Sequence, residues 1–152
     1  MSVLVTGGLG FIGSKVVLQL VKKGISTIVT DLDPMTNKKK LEKNLKKIDI
    51  NEDLIRYEKL DITDFDSLEK IFKTNKIDAV INLAYGIGTI CENNPLLASK
   101  INIVGTTSIF EMVVKYKIRR LERGFKKRVN TICSRKLRRR EIKDGKTGAK
   151  RI

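Results

Sequence analysis

Histidine is absent from this 152-residue chain, and cysteine occurs only at Cys91 and Cys133, with no paired spacing. The common zinc-ligand patterns therefore cannot be assembled, and no disulfide framework is implied. Long apolar runs are missing as well, since no stretch approaches the ~18 residues of a membrane span. The opening apolar residues Val3, Leu4 and Val5 end at Gly7-Gly8 with no basic segment before them, so they read as a strand rather than a signal peptide. These absences point to a cytoplasmic protein in a reducing setting with no membrane contact. What is present, 152 residues at 41% hydrophobic content, suits one domain with a genuine core.

The formal charge of +15 is unevenly placed. Residues 119–152 hold 15 Lys/Arg against Glu122, Glu141 and Asp144, a net +12, so the other 17 bases and 14 acids leave residues 1–118 at only +3. The basicity belongs to a tail. That tail has few apolar residues, no sustained period and many like charges, which predicts irregular structure after a folded domain over 1–118. Within it, "RVNTICS" at 128–134 has the composition of a further strand. Fifteen bases would attract nonspecific polyanions with steep salt dependence. Phe125 is the tail's single aromatic, and no nucleic-acid docking motif accompanies it.

Before the tail, short β-branched runs at 2–6, 26–30, 54–60 and 77–83 alternate with longer segments of helical period, the pattern of βαβ units around a parallel sheet. A first helix is predicted over 11–23. Ile12, Val16 and Leu20 form its stripe, Val17 and Val21 widen it, and Gly24 acts as a left-handed stop. A lysine-rich second helix is expected around 37–47, with Leu41, Leu45 and Ile48 inward. Phe65, Leu68 and Phe72 mark a third behind an Asp61–Asp64 cap, and Asn94-Pro95 opens a fourth that continues to about Lys117.

The stretch "VTGGLGFIGSK", residues 5–15, sets Gly7, Gly10 and Gly13 between the first strand and the first helix. Gly8 and Gly13 have the spacing of a triphosphate-binding loop, but Ser14-Lys15 follow in the wrong order. One position turns a helical side chain by about 100°, so the lysine would point away from the phosphates. A dinucleotide turn fits better. It needs a tight turn at Gly7, close approach of a pyrophosphate at Gly10 and helix-on-strand packing at Gly13. Asp31 closes the second strand 18 residues after Gly13, near the ~20 expected for a carboxylate that accepts from the adenosine ribose. A carboxylate there favours NAD over NADP, while Lys38, Lys39 and Lys40 nearby leave the phosphorylated cofactor open.

Residues Thr6–Ser14 resemble the cofactor motif of the NAD-dependent epimerase/dehydratase family, extended short-chain dehydrogenases/reductases that act on nucleotide sugars. Asp61-Ile62, Asn82-Leu83-Ala84 and Asn102-Ile103-Val104-Gly105-Thr106 resemble later family segments, in order, over residues 1–118. The resemblance implies a Rossmann-like, doubly wound α/β sheet. It also implies cofactor contacts at Gly7, Gly10, Phe11, Ile12, Gly13, Asp31, Asp61, Ile62, Leu83 and Ala84, with a nucleotide sugar as substrate. Family chemistry uses a Ser/Thr, a tyrosine and a lysine four residues later. Here Asp61, Thr89 and Arg120 lie four residues after Tyr57, Tyr85 and Tyr116, so no Tyr-x-x-x-Lys exists and no catalytic residue is assigned. Ser134 would imitate the serine only if 119–127 were an insertion.

A truncated or frame-shifted member, ending after about four strands, is therefore expected. Its fourth strand would present an unpaired apolar edge prone to self-association. The competing expectations are a nonenzymatic NAD-sensing module and nucleic-acid binding through the tail.

Overall fold

The computed structural model of the chain describes residues 1–33, 38, 39, 41, 42 and 52–123. Leu45, Ile48, Lys40, Phe125, "RVNTICS" and Ser134, all weighed above, lie outside the described residues.

Among the described residues, five parallel strands form one sheet in the order β3-β2-β1-β4-β5. They are β1 (Ser2–Thr6), β2 (Ser26–Asp31), β3 (Ile55–Lys59), β4 (Ala79–Asn82) and β5 (Arg120–Arg123). Alternation along the strands divides the core. Leu4, Ile28 and Val80 face one side, where they meet Leu68, Ile71 and Phe72 of α2 (Phe65–Thr74) and Ile109, Met112 and Val113 of the helix before β5. Val3, Val5, Val29 and Ala79 face the other, under Val17 and Val21 of α1 (Phe11–Lys22) and beside Leu41. Helices on both faces of a parallel sheet make the doubly wound arrangement.

Several local expectations change. The buried stripe of α1 is Gly13, Val17 and Val21, while Ile12 is 60% exposed. The helix starts so close to the β1 turn at Gly13 that the side chain before it is turned outward. In α2, Ile71 rather than Phe65 completes the buried face, and the cap is Asp64, which accepts from the Ser67 amide at 3.2 Å and its hydroxyl at 2.6 Å.

The fourth predicted helix is composite. After α3 (Thr89–Asn93), Asn94 caps α4 (Pro95–Ser99), which runs through a π-helical segment, Lys100–Gly105, into α5 (Thr106–Lys115). By length and composition Pro95–Lys115 is apolar enough to cross a membrane, contrary to the sequence reading. In the fold its Ala98, Ile109, Met112 and Val113 are buried, while Leu96, Leu97, Ile103 and Val104 are exposed.

The largest correction concerns the sheet edge. The chain does not leave the fold at 118, because Arg120–Arg123 pair in parallel with Ala79–Asn82. The expected bare edge of β4 is therefore covered by β5. The connection works because α5 ends in a Schellman turn: the Lys117 amide donates to Val114 O at 3.3 Å and the Ile118 amide to Val113 O at 2.9 Å. Buried Ile118 then starts the approach to β5, whose Leu121 packs on the same core side.

Lys117 occupies the left-handed position of that turn, with φ of 54°. Glycine relieves this strain, so Lys117→Gly should raise stability by about 0.5–1 kcal/mol in urea titration; an unchanged midpoint would contradict the reading. Glu69 of α2 ties the helix layer together by pairing with Lys73 at 3.0 Å and with Lys115 of α5. Hydrogen bonds from Lys115 and then Lys73 hold its carboxyl down at about 2, against an ordinary 4.5. This contribution is full above pH 4.5 and is lost as pH falls toward 2. Melting temperature should accordingly drop across that window, and Glu69→Gln should be less stable at neutral pH and show a shallower drop.

Candidate cofactor site

The chain lays β2 and β3 on one side of β1, then crosses back to put β4 and β5 on the other. The carboxyl ends of β1 and β4 therefore flank the point where strand order reverses, the place where open α/β sheets bind ligands. Both β1 and β4 end in polar side chains that close on each other. Thr6 Oγ1 donates to Asn82 Oδ1 at 2.5 Å, and that oxygen also accepts from the Ala84 amide at 3.3 Å. Asn82 is fully buried, and its Nδ2 has no partner among the described residues.

Three glycines shape the crevice. Gly7 has φ of +64°, and a Cβ there would stand 2.7 Å from the Leu83 carbonyl atoms and 2.8 Å from the Ala84 nitrogen. The turn after β1 thus lies directly against the Leu83-Ala84 backbone. A Cβ on Gly13 would meet Gly7 O at 2.1 Å and Gly8 Cα at 2.7 Å, so only glycine lets the helix begin on top of the turn. At Gly10 the situation differs. A Cβ would approach Gly7 O alone, at 3.2 Å, and the backbone there is extended, with φ of −65° and ψ of 175°. At 3.2 Å from a backbone oxygen that contact is tighter than ordinary packing, yet it is a single contact, so a side chain is disfavoured at Gly10 far less than at Gly7 or Gly13.

Gly10 is also the N-cap of α1 and offers no side chain to the first-turn amides. Those amides have no acceptor within the helix and lie at its positive end, which favours an anion. Phe11 and Ile12, at 78% and 60% exposure, stand beside them. Asp31 braces the same loop: its Oδ2 accepts from the Leu9 amide at 3.1 Å and its Oδ1 from the Leu32 amide at 2.9 Å. The carboxylate is fixed in orientation, with lone pairs left for further donors.

Asp61 and Ile62 lie just past the end of β3. Asp61 Oδ1 accepts from both the amide and the hydroxyl of Thr63 at 2.8 Å. Ile62 is buried, and its side chain lies where a Cβ on Gly105 would fall, at 2.7 Å. Gly7, Leu83 and Ala84 are in direct contact, Asp31 joins them through Leu9, and Asp61 and Ile62 belong to the next strand end but one.

Sequence reasoning left one member of this neighbourhood without a partner. Asn102, in the π-helical segment, forms two 2.9 Å bonds to Gly86, accepting from its N–H and donating to its C=O. Cys91 Sγ donates to the same carbonyl at 3.0 Å. These bonds fasten the segment after β4 to the long helix. A carboxamide inside an otherwise apolar helical run was the signal available for it.

A profile for the NAD dependent epimerase/dehydratase family matches residues 3–122. UDP-glucose 4-epimerase 2 of Arabidopsis thaliana is 40% identical over 117 residues, which cover 76% of this chain and 33% of that protein. The crystal structure of a Thermus thermophilus UDP-glucose 4-epimerase in complex with NAD superposes with a TM-score of 0.67 at 26% identity, covering 80% of this chain and 36% of that one. The Thermotoga maritima UDP-glucose 4-epimerase with UDP-glucose gives 0.68 at 29% identity, covering 81% and 37%. The chain thus spans about a third of the length of these relatives. With strand order, glycine turn and sequence in agreement over residues 3–122, the chain belongs to the NAD dependent epimerase/dehydratase family.

Proposed function

We propose that this chain is the dinucleotide-binding portion of a nucleotide-sugar epimerase or dehydratase and binds NAD at the crevice between β1 and β4. The observation that carries the reading is Gly10. A Cβ there would press on one atom, Gly7 O at 3.2 Å, and the position is bare beside first-turn amides of α1 that have no side-chain cap. A bridging diphosphate fits those amides in charge and in donor geometry. In this reading Gly7, Gly10, Phe11, Ile12 and Gly13 form the diphosphate turn. Asp31 takes the adenosine ribose, Asp61 and Ile62 the adenine, and Leu83 and Ala84 the wall beneath the rest of the cofactor.

NAD is favoured over NADP by the Asp31 carboxylate, which would repel a 2′-phosphate. Lys38 has other partners: it sits 4.7 Å from the Tyr57 ring centroid and pairs with Glu42 at 3.5 Å. Bound NAD would supply hydride acceptance at a sugar carbon. This chain's own residues would bind and orient the cofactor. No tyrosine has a lysine four residues on, so the chain by itself is proposed to lack turnover, and a role as an NAD-dependent binding module is the second reading. The ligands in two related structures, NAD in one and UDP-glucose in the other, support a nucleotide sugar as the substrate of a completed enzyme.

Gly10→Ala separates the cofactor role from packing. The 3.2 Å approach to Gly7 O should lower its melting temperature by only about 2–4 °C, while calorimetric titration of the folded variant should show NAD affinity reduced at least about tenfold, the cost of ~1.4 kcal/mol in lost diphosphate contact. Wild-type protein that gives no heat with NAD, or a Gly10→Ala variant that binds equally, would overturn the assignment. Wild type should also bind NAD more tightly than NADP, and Asp31→Asn should narrow that difference.

A further inference from the structure

We infer that Arg123 forms a binding site for the oxyanion group, phosphate or carboxylate, of a small ligand at the carboxyl end of β5. Pairing with Asn82 sets Arg123 at the end of the strand next to β4, on the edge of the sheet where ligands are received. Its Nε donates to Tyr85 Oη at 2.7 Å. The guanidinium carbon lies 5.6 Å from the centroid of the Tyr85 ring and 5.2 Å from that of Phe110.

Two rings and one hydrogen bond therefore hold a half-buried guanidinium in place. Aromatic contacts of this kind stabilise the cation without consuming its in-plane donors. Nε accounts for one of five N–H groups. Among the described residues, no carboxylate or carbonyl takes the four on Nη1 and Nη2. A half-buried guanidinium kept for packing alone would normally spend those donors on protein acceptors. Among the described residues a planar fork thus remains, the geometry that matches two oxygens of a phosphate or carboxylate. The site uses residues other than the α1 amides, although Tyr85 directly follows Ala84 of the proposed cofactor wall, and it does not rest on the dinucleotide reading.

The test is a nuclear magnetic resonance titration of the isotopically labelled full chain, following the Arg123 Nε–Hε signal. Inorganic phosphate and, separately, acetate are added at ionic strength held constant with chloride. A saturable shift of that signal is expected, and the anion that gives the tighter curve identifies which oxyanion the fork prefers. Arg123→Lys retains the charge and loses the fork, so anion affinity at this end of the sheet, read from the Tyr85 and Phe110 signals, should weaken about fivefold or more. No saturable change at Arg123 with either anion overturns the inference, as does equal affinity in Arg123→Lys. A shift confined to the amides of residues 11–13 also overturns it, while supporting the diphosphate turn. Should the variant fail to fold, the wild-type titration decides alone.

Discussion

The contact on which the rest depends is the one between Gly13 and the turn after β1. Side chains normally keep a helix and a strand end apart, but here Gly7 O lies 2.1 Å from where a Cβ on Gly13 would sit. This contact brings the amino end of α1 down onto the reversal point of the sheet. The position of the first-turn amides is therefore set by backbone packing within the fold itself. Neighbouring features reinforce the same geometry. Asp31 secures Leu9 from the β2 side, and Asn82 secures Thr6 from the β4 side.

The opposite wall is keyed to one long helix. Its π-helical stretch breaks the regular i→i−4 register, and hydroxyls of the next turn take up two carbonyls: Thr107 donates to Ile103 O at 2.8 Å and Ser108 to Val104 O at 3.1 Å. Such stretches recur at functional sites. Here the stretch serves two contacts at once. Gly105 closes onto Ile62, and Asn102 holds Gly86. Structure beyond β3 and structure beyond β4 are thereby positioned by a single element.

Much of this was legible in the sequence, for identifiable reasons. Four strands, the glycine turn and the caps at Asp64 and Asn94 follow from local chemistry and short-range periodicity, and they stand close to where that chemistry put them. Errors came where a long-range contact decided. Ile12 has helical spacing for the core but is displaced by the approach at Gly13. β5 carries the sequence Arg-Leu-Glu-Arg, which has no strand signature and was absorbed into a basic tail; only its pairing with β4 makes it a strand. The Tyr85–Arg123 pair joins residues 38 apart that no spacing rule connects. The Asn102 clamp was hidden because a π-helical segment shifts the phase by which helix faces are read.

The turn at Lys117 has a further consequence for the last strand. Only Arg119 separates buried Ile118 from β5, so there is no slack with which to take up a change in chain length. Adding or removing one residue there would invert β5, driving Arg120 and Glu122 toward the hydrophobic layer and lifting Leu121 out of it. The helix stop thus acts as a gauge block for the strand, and it is the spacing after Val113, more than the composition of β5, that decides which side chains the sheet presents at that margin.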